Sequence, residues 1–248
     1  MYLKLIACNV LLREVCREVA SSPHTFDLYF TEKGDHEFCD RLRSLIESEI
    51  QKAEESGKPY DAILLGYGLC GNATVGLKSS RFPLVLPRAH DCCTLFLGSK
   101  QKFRELFASN PSQPFATPGY MERGSDRFQT SLTRKFLGLD KSYEEYVSLY
   151  GEENARYIME TLSPRTSEEP LLLYIAMPGT DSLGWEERCR TEAEREGKRF
   201  IRVQGDPRLI HKLIYGEWDP EEFLVVPKGQ EITPLYDWDQ VVTSKPQL

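Results

Sequence analysis

Residues 62–71 have the sequence AILLGYGLCG, and this stretch indicates the fold. Its first part, 62–67, is a continuous apolar run, which is typical of a parallel strand covered on both faces. The preceding segment, 36–55, carries apolar residues every three or four positions, as expected for a helix packed on a sheet. Helices and strands alternating in this way predict right-handed β-α-β units and a parallel sheet.

The same alternation covers most of the chain. Strands are predicted at 3–7, 26–30, 62–67, 84–86, 171–175, 200–203 and 223–226. Helices are predicted at 10–20, 36–55, 134–137, 143–150, 154–162, 183–196 and 207–215. The sequence NPSQPFATPGY at 110–120 contains three prolines and a glycine, so it predicts a connection or a short edge strand.

The predicted fold class is α/β, with mostly parallel sheets flanked by helices and two Rossmann-like halves joined by a helical segment. We assign 1–110 to an N-terminal half with the candidate site and 111–165 to the helical connection. The segment 166–230 forms the C-terminal half, and 231–248 is a polar tail that wraps around the protein.

The composition excludes several classes of partner. The 248 residues contain 31 Lys and Arg against 38 Asp and Glu, a net charge of −7, with no basic run, so we expect no nucleic-acid partner. The apolar stretches are far shorter than the ~20 residues that span a bilayer, so we expect no membrane span. The opening MYLKLIACNVLLREV predicts a strand and a helix rather than a secretory signal, which places the protein in the cytoplasm.

The chain has seven cysteines, an odd number that argues against a disulfide framework in a reducing compartment. Each is therefore a small buried residue, a metal ligand or a reactive thiol. They stand at positions 8, 16, 39, 70, 92, 93 and 189.

Four residues with metal-binding side chains follow predicted strands, where ligands bind in open parallel sheets. They are Cys8, Cys70, His90 and Cys92. A tetrahedral set of three thiolates and one imidazole is typical of zinc, and an iron–sulfur cluster is the alternative. The spacing alone is not diagnostic, because the cysteines also suit tight corners between strand and helix. If a metal binds, its affinity must fall at low pH.

Glycines 66, 68 and 71 allow a ligand or cofactor to approach the backbone, although a turn with positive φ angles also needs them. Two further stretches have turn sequences. The first, 117–120, carries an aromatic residue, and the second, 177–180, follows the strand predicted at 171–175. They either contribute opposing loops to one crevice or are simple turns.

Two charged residues near these strand ends are candidates for a role in chemistry. Arg88 offers a planar fork of donors for a carboxylate or phosphate, or it pairs with Asp91. Glu14 follows Cys8 on the first helix, where it either accepts a hydrogen bond from a ligating histidine or faces solvent.

Five stretches resemble the family catalogued as domain of unknown function 1638. They are IACNVLLRE (6–14), LLGYGLCGN (64–72), PLVLPRAHDCCTLFLGS (83–99), ATPGY (116–120) and FLVVPKGQ (223–230). The resemblance runs from Leu3 to about Gln230. It implies a cytoplasmic prokaryotic protein, often encoded near corrinoid-dependent methyltransferases, and hence a corrinoid protein or a methyltransferase as a partner.

The family's motif falls on six residues of this chain and thereby implies a functional role for Asp91. These residues are Cys8, Glu14, Cys70, His90, Asp91 and Cys92. The chain departs from the pattern twice, with Asn9 where glycine is expected and Cys93 where an aliphatic residue is expected. We therefore interpret Cys93 as an apolar substitute rather than a ligand.

Three functions follow from these residues. The first is an enzyme of one-carbon transfer, in which Zn²⁺ keeps a thiol ionised and Arg88 orients a small anionic substrate. The second is an accessory protein that binds a metal, corrinoid or small molecule without turnover. The third is a racemase-like enzyme with two opposed thiols, one from each half, for which the C-terminal half offers only Cys189.

Overall fold

The computed structural model describes residues 1–37, 39–110, 113–123, 143–152, 154–156, 171–235, 237 and 239–246. The strands are β1 (Tyr2–Cys8), β2 (Thr25–Thr31), β3 (Ala62–Gly66), β4 (Leu84–Pro87), β5 (Phe115–Ala116), β6 (Leu171–Ala176), β7 (Arg199–Gln204), β8 (Phe223–Val226), β9 (Gln230–Pro234) and β10 (Val242–Pro246). The helices are α1 (Leu12–Ser21), α2 (Cys39–Glu55), α3 (Cys92–Leu97), α4 (Lys100–Phe107), α5 (Pro118–Glu122), α6 (Tyr143–Tyr150), α7 (Trp185–Arg195) and α8 (Arg208–Tyr215). Short 3-10 helices lie at Asn9–Leu11, Lys33–Glu37 and Asp181–Leu183.

The largest sheet has five strands in the order β2-β1-β3-β4-β8. Its first four strands are parallel, and β8 runs antiparallel to β4. This confirms the predicted α/β class with a mostly parallel sheet flanked by helices.

The C-terminal elements do not all form a sheet of their own. Strands β5, β6 and β7 form a parallel three-stranded sheet, on which α7 packs. The strand predicted for the C-terminal half at 223–226 instead pairs with β4 of the larger sheet. The reason is that α8, just before it, packs against α1, β3 and β4, which brings the chain back to the edge of the first sheet.

The centre of the five-stranded sheet is buried on both faces. All five residues of β3 are buried, and they alternate between two apolar clusters: Ala62 and Leu64 belong to one, Ile63 and Leu65 to the other. This agrees with the prediction from the apolar run at 62–67, since only a strand covered on both sides can bury consecutive residues. Helix α2 packs its apolar stripe on one of these faces, with Leu42, Ile46, Ile50 and Ala53 buried.

The connecting segment agrees with the predicted helices where the structure describes it, whereas the tail contains two strands that were not predicted from the sequence. The helix predicted at 143–150 is α6, and 154–156 is helical, whereas 134–137 and 157–162 lie outside the described residues. The tail forms an antiparallel hairpin of β9 and β10. Among the described residues, no helix is both long enough and apolar enough to cross a membrane.

Candidate functional site

A cavity of about 360 Å³ lies at the carboxyl ends of β1, β3 and β4. Its walls are formed by Cys8, Thr31, Glu32, Leu42, Tyr67, Cys70, Gly71, Asp91, Cys92, Phe115 and Tyr120. Three of the four predicted metal ligands therefore share one cavity. The prediction that residues after neighbouring parallel strands converge holds for these three thiols.

Each of the three cysteines is placed by a different local structure. Cys8 is the last residue of β1, and Cys92 is the first residue of α3. Cys70 lies in the loop after β3, in a turn where Cys70, Gly71 and Asn72 have φ angles of 47°, 63° and 73°. Positive φ is rare for residues other than glycine, so this turn has an uncommon backbone conformation that turns the chain at the cavity wall.

Backbone hydrogen bonds join the loops that carry Cys70 and Cys92. The amides of Leu69 and Cys70 donate to the carbonyl oxygens of Ala89 and His90, at 2.8 and 2.9 Å. The carboxylate of Asp91 accepts from the amides of Cys93 and Thr94 and so caps α3. Asp91 thus has a structural role in addition to lining the cavity.

The three candidate glycines serve two purposes. A Cβ atom on Gly66 would lie 2.6 Å from the Cβ of Ala7, and one on Gly68 would lie 2.6 Å from the amide nitrogen of Asp91. These two glycines allow close packing of the chain on itself. Gly71 alone of the three lines the cavity.

Part of the cavity wall comes from β5, at the edge of the three-stranded sheet, and from the helix that follows it. Phe115 belongs to β5, and Tyr120 belongs to α5 and places its hydroxyl oxygen 2.7 Å from the Sγ atom of Cys92. The two rings meet edge to face at 5.1 Å. Across the cavity, the hydroxyl groups of Tyr67 and Thr31 form a hydrogen bond of 2.9 Å.

Burial keeps the thiols in their neutral form. Burial, together with a smaller effect of the carboxylates of Asp35 and Glu32, raises the pKa of Cys8 to about 11. Burial also raises the pKa values of Cys70 and Cys92, and the nearby charge of Asp91 adds to both. A group that binds these thiols as thiolates must therefore compensate the cost of buried negative charge.

The sequence did not reveal two further residues near the thiols. Lys33 is buried, its Nζ atom lies 5.6 Å from the ring centre of Tyr120, and its charge lowers the pKa of Cys8. Cys39 places its Sγ atom 3.9 Å from the carbonyl oxygen of Cys70. Lys33 follows β2 closely, so the strand-end rule applied to β2 would have found it, whereas Cys39 lies beyond a 3-10 helix and gives no such signal.

The structure does not bring His90 into the cavity. Its ring stacks on Phe103 with ring centres 5.5 Å apart, and burial lowers its pKa. Among the residues that can be described, no group of three or more His, Cys, Asp or Glu side chains is placed to hold a metal ion. The three thiols fit zinc by their chemistry, although their side chains, as the structure places them, do not form a coordination set.

Two residues predicted to act in chemistry lie away from the cavity. The guanidinium group of Arg88 donates to the carbonyl oxygens of Pro220 and Gln240, at 2.8 and 2.9 Å, and to that of Val242. Glu14 is buried on α1, with one carboxylate oxygen lacking a hydrogen-bond partner. Burial raises its pKa to about 7.

Comparison with known proteins gives one match. The model of the family described as protein of unknown function DUF1638 matches residues 30–214, about three quarters of the chain. No curated protein and no solved structure matches the chain.

Proposed function

Because the chain belongs to the DUF1638 family, which is described only as proteins of unknown function, we propose a function from the cavity itself. We propose that Cys8, Cys70 and Cys92 bind one Zn²⁺ ion as thiolates. One observation carries the proposal: three cysteines from three separate strand ends line a single cavity. Soft thiolate donors gathered in one place favour zinc over the hard cations Mg²⁺ and Ca²⁺.

The chain's own residues prepare the cavity for this role. Tyr120 holds the Sγ atom of Cys92 through its hydroxyl group, and Phe115 and Leu42 contribute apolar side chains to the cavity wall. The buried charge of Lys33 lies close enough to Cys8 to lower its pKa, which offsets part of the cost of a thiolate. A bound zinc ion would supply the remaining positive charge and keep the thiolates ionised at neutral pH.

We propose that this centre acts in one-carbon or corrinoid-linked metabolism, on a small-molecule substrate. The resemblance to the family supports this part of the proposal, and it names a corrinoid protein or a methyltransferase as the partner. Of the three residues first considered for chemistry, only Asp91 lines the cavity. Glu14 and Arg88 contribute to packing and to attachment of the tail instead.

A non-catalytic accessory protein is the second candidate. Two observations favour it: the described residues hold no assembled set of metal ligands, and the cavity of about 360 Å³ has room for far more than one ion. Such a protein would bind a small molecule or a metal and pass it on. A racemase-like mechanism has no support from the geometry, because Cys189 lies in a separate apolar cluster on α7.

Elemental analysis of the full chain, purified without added metal, tests the proposal. We expect about one zinc atom per chain, as in mononuclear thiolate sites. Ser replacements of Cys8, Cys70 and Cys92 should each lose most of the metal. Cys16→Ser, at an exposed position on α1, is the matched control and should keep it.

Other outcomes separate the alternatives. His90→Ala should also keep the metal, because its ring packs on Phe103. Several iron atoms per chain would indicate an iron–sulfur cluster instead. A chain that contains no metal and takes up none from solution would overturn the zinc proposal and favour a small-molecule binding protein.

A further inference from the structure

Cys39 and Cys70 lie against each other at the rim of the cavity. The Sγ atom of Cys39 is 3.9 Å from the carbonyl oxygen of Cys70. The same sulfur is 3.1 Å from the place where a Cβ atom would stand on Gly71. The sulfur of Cys39 thus rests on the backbone of residues 70 and 71.

The four thiols in and near the cavity differ in their hydrogen bonds. Cys8 and Cys70 accept from the backbone amides of Val10 and Gly68, and Cys92 is hydrogen-bonded to the hydroxyl of Tyr120. The Sγ atom of Cys39 makes a long contact with the carbonyl oxygen of Cys70. Cys39 and Cys70 are also both partly exposed, so a small oxidant can reach them.

We propose that Cys39 and Cys70 form a reversible disulfide that closes the thiol site. The oxidant is a low-molecular-weight disulfide such as oxidised glutathione. The thiolate of Cys39 attacks one sulfur of the oxidant and releases one small thiolate. The thiol of Cys70 then gives up its proton to the released thiolate and attacks the Sγ of Cys39, which releases the second small thiolate. The two protein thiols lose two electrons and two protons, and the two released thiols gain them.

The consequence for the cavity rests on the function proposed above. Cys70 cannot bind a metal ion while it is part of a disulfide, because the ligand must be a thiolate. The bond would also fix the start of α2 to the loop after β3. Oxidation would therefore switch off metal binding, and reduction would restore it.

Mass analysis of the full chain in glutathione buffers, with metal removed by a chelator, tests the disulfide. We expect the wild-type protein to lose the mass of two hydrogen atoms and to yield a linked peptide pair containing Cys39 and Cys70. Cys39→Ser should abolish this loss, whereas Cys70→Ser should leave Cys39 as a mixed disulfide with glutathione. Cys16→Ser should oxidise like the wild type, because Cys16 stands on α1 outside the site.

Two results would overturn the inference: a linked pair that joins Cys70 to Cys8 or Cys92, or a Cys39→Ser variant that still loses two hydrogen atoms. Zinc uptake is then measured separately. Oxidised wild type should take up no zinc, whereas Cys39→Ser, treated with glutathione and reduced again, should take up as much as the reduced wild type. Failure of the reduced protein to bind zinc would contradict the proposed function alone, since the peptide mapping needs no metal.

Discussion

The two parallel sheets of this protein end in different ways at their carboxyl edges. At the edge of the five-stranded sheet, the loops stand apart and leave a cavity of about 360 Å³ lined by cysteines. At the edge of the three-stranded sheet, the loops after β6 and β7 pack against their neighbours. Thr180 bonds to the carbonyl oxygen of Met177 at 2.7 Å, and Gly205 packs against the sulfur of Met177.

The difference shows what turns a strand end into a site. The three-stranded sheet has two such loops, 117–120 after β5 and 177–180 after β6, and the sequence pattern predicts that both line one crevice or that both are simple turns. Only the first reaches the cavity, through Tyr120. The second is tied to α1 by Arg17, which donates to the carbonyl oxygen of Pro178 at 2.7 Å. A loop that packs against its neighbours leaves no room for a ligand.

The largest loss of stability is expected from Gly119→Val, which should displace the part of the cavity wall that α5 provides. A Cβ atom on Gly119 would lie 1.8 Å from the carbonyl oxygen of Val10, so α5 would have to move away with Tyr120. Because backbone cannot yield as a side chain can, we expect a loss of about 3 kcal/mol or more in the free energy of unfolding. Urea denaturation measures it.

Gly205→Ala, in the loop after β7, is the comparison for that variant. Its Cβ atom would meet the flexible side chain of Met177 at 2.4 Å, although the carbonyl oxygen of Phe96 is also near, at 3.0 Å. We expect a smaller loss, about 1 kcal/mol. An equal or larger loss than for Gly119→Val would show that the loop after β7 is more tightly constrained than α5.

The next effect concerns Glu14 on α1, the helix that joins both edges through Arg13 and Arg17. Burial raises the pKa of Glu14 from 4.5 to about 7. Because the folded pKa is above the unfolded one, the contribution of this group to stability is complete below pH 4.5 and is lost as the pH rises to about 7.

Glu14→Gln should remove this pH dependence. At pH 8 the variant should be more stable than the wild type by up to about 3 kcal/mol, and the two should converge near pH 4. Denaturation at a series of pH values measures the difference. If the stability of the wild type, relative to that of Glu14→Gln, does not fall between pH 4 and pH 8, the carboxyl group of Glu14 is not buried as described.

A smaller effect is expected from Arg88→Ala. The guanidinium group binds carbonyl oxygens of Pro220, Gln240 and Val242, so its loss should cost about 2 kcal/mol of stability. The metal content should not change, because the side chain is directed to the tail. Loss of metal without loss of stability would indicate that Arg88 takes part in the metal site.

The smallest effect is expected from Tyr120→Phe, which tests the contact between Tyr120 and Cys92 in the cavity. The hydroxyl group of Tyr120 forms a hydrogen bond with the Sγ of Cys92 and lowers the pKa of that thiol. Its removal should therefore slow alkylation of Cys92 and lower the free energy of unfolding by about 1 kcal/mol. Tyr67→Phe is the control, since its hydroxyl bonds to Thr31 on the other side of the cavity. Peptide mass spectrometry measures the alkylation rate of Cys92 in both variants. Equal rates would contradict the hydrogen bond between Tyr120 and Cys92.

Much of the fold follows from the sequence, because apolar periodicity records which faces are buried. The apolar run at 62–67 and the periodic segment at 36–55 predicted β3 and α2 closely. The pairing of β8 with β4 was not predictable, since nothing in the sequence of an apolar strand specifies its neighbour.

The site was predicted in part for the same reason. Strand ends locate Cys8, Cys70 and Cys92, because the carboxyl edge of a parallel sheet gathers them. His90 shares that position, but its ring turns toward Phe103 of α4. The direction of a side chain depends on the packing of elements distant in sequence, and no local pattern encodes it.

Titration of the reduced, metal-free chain with Cd²⁺ tests the central claim most directly, because cadmium binds thiolates tightly and gives a thiolate-to-metal absorption band. We predict saturation at one equivalent, with the band weakened by Ser replacement of Cys8, Cys70 or Cys92 and unchanged in Cys16→Ser. A band of full strength in the three cavity variants, or no band in the wild type, would contradict the claim that these cysteines form one site.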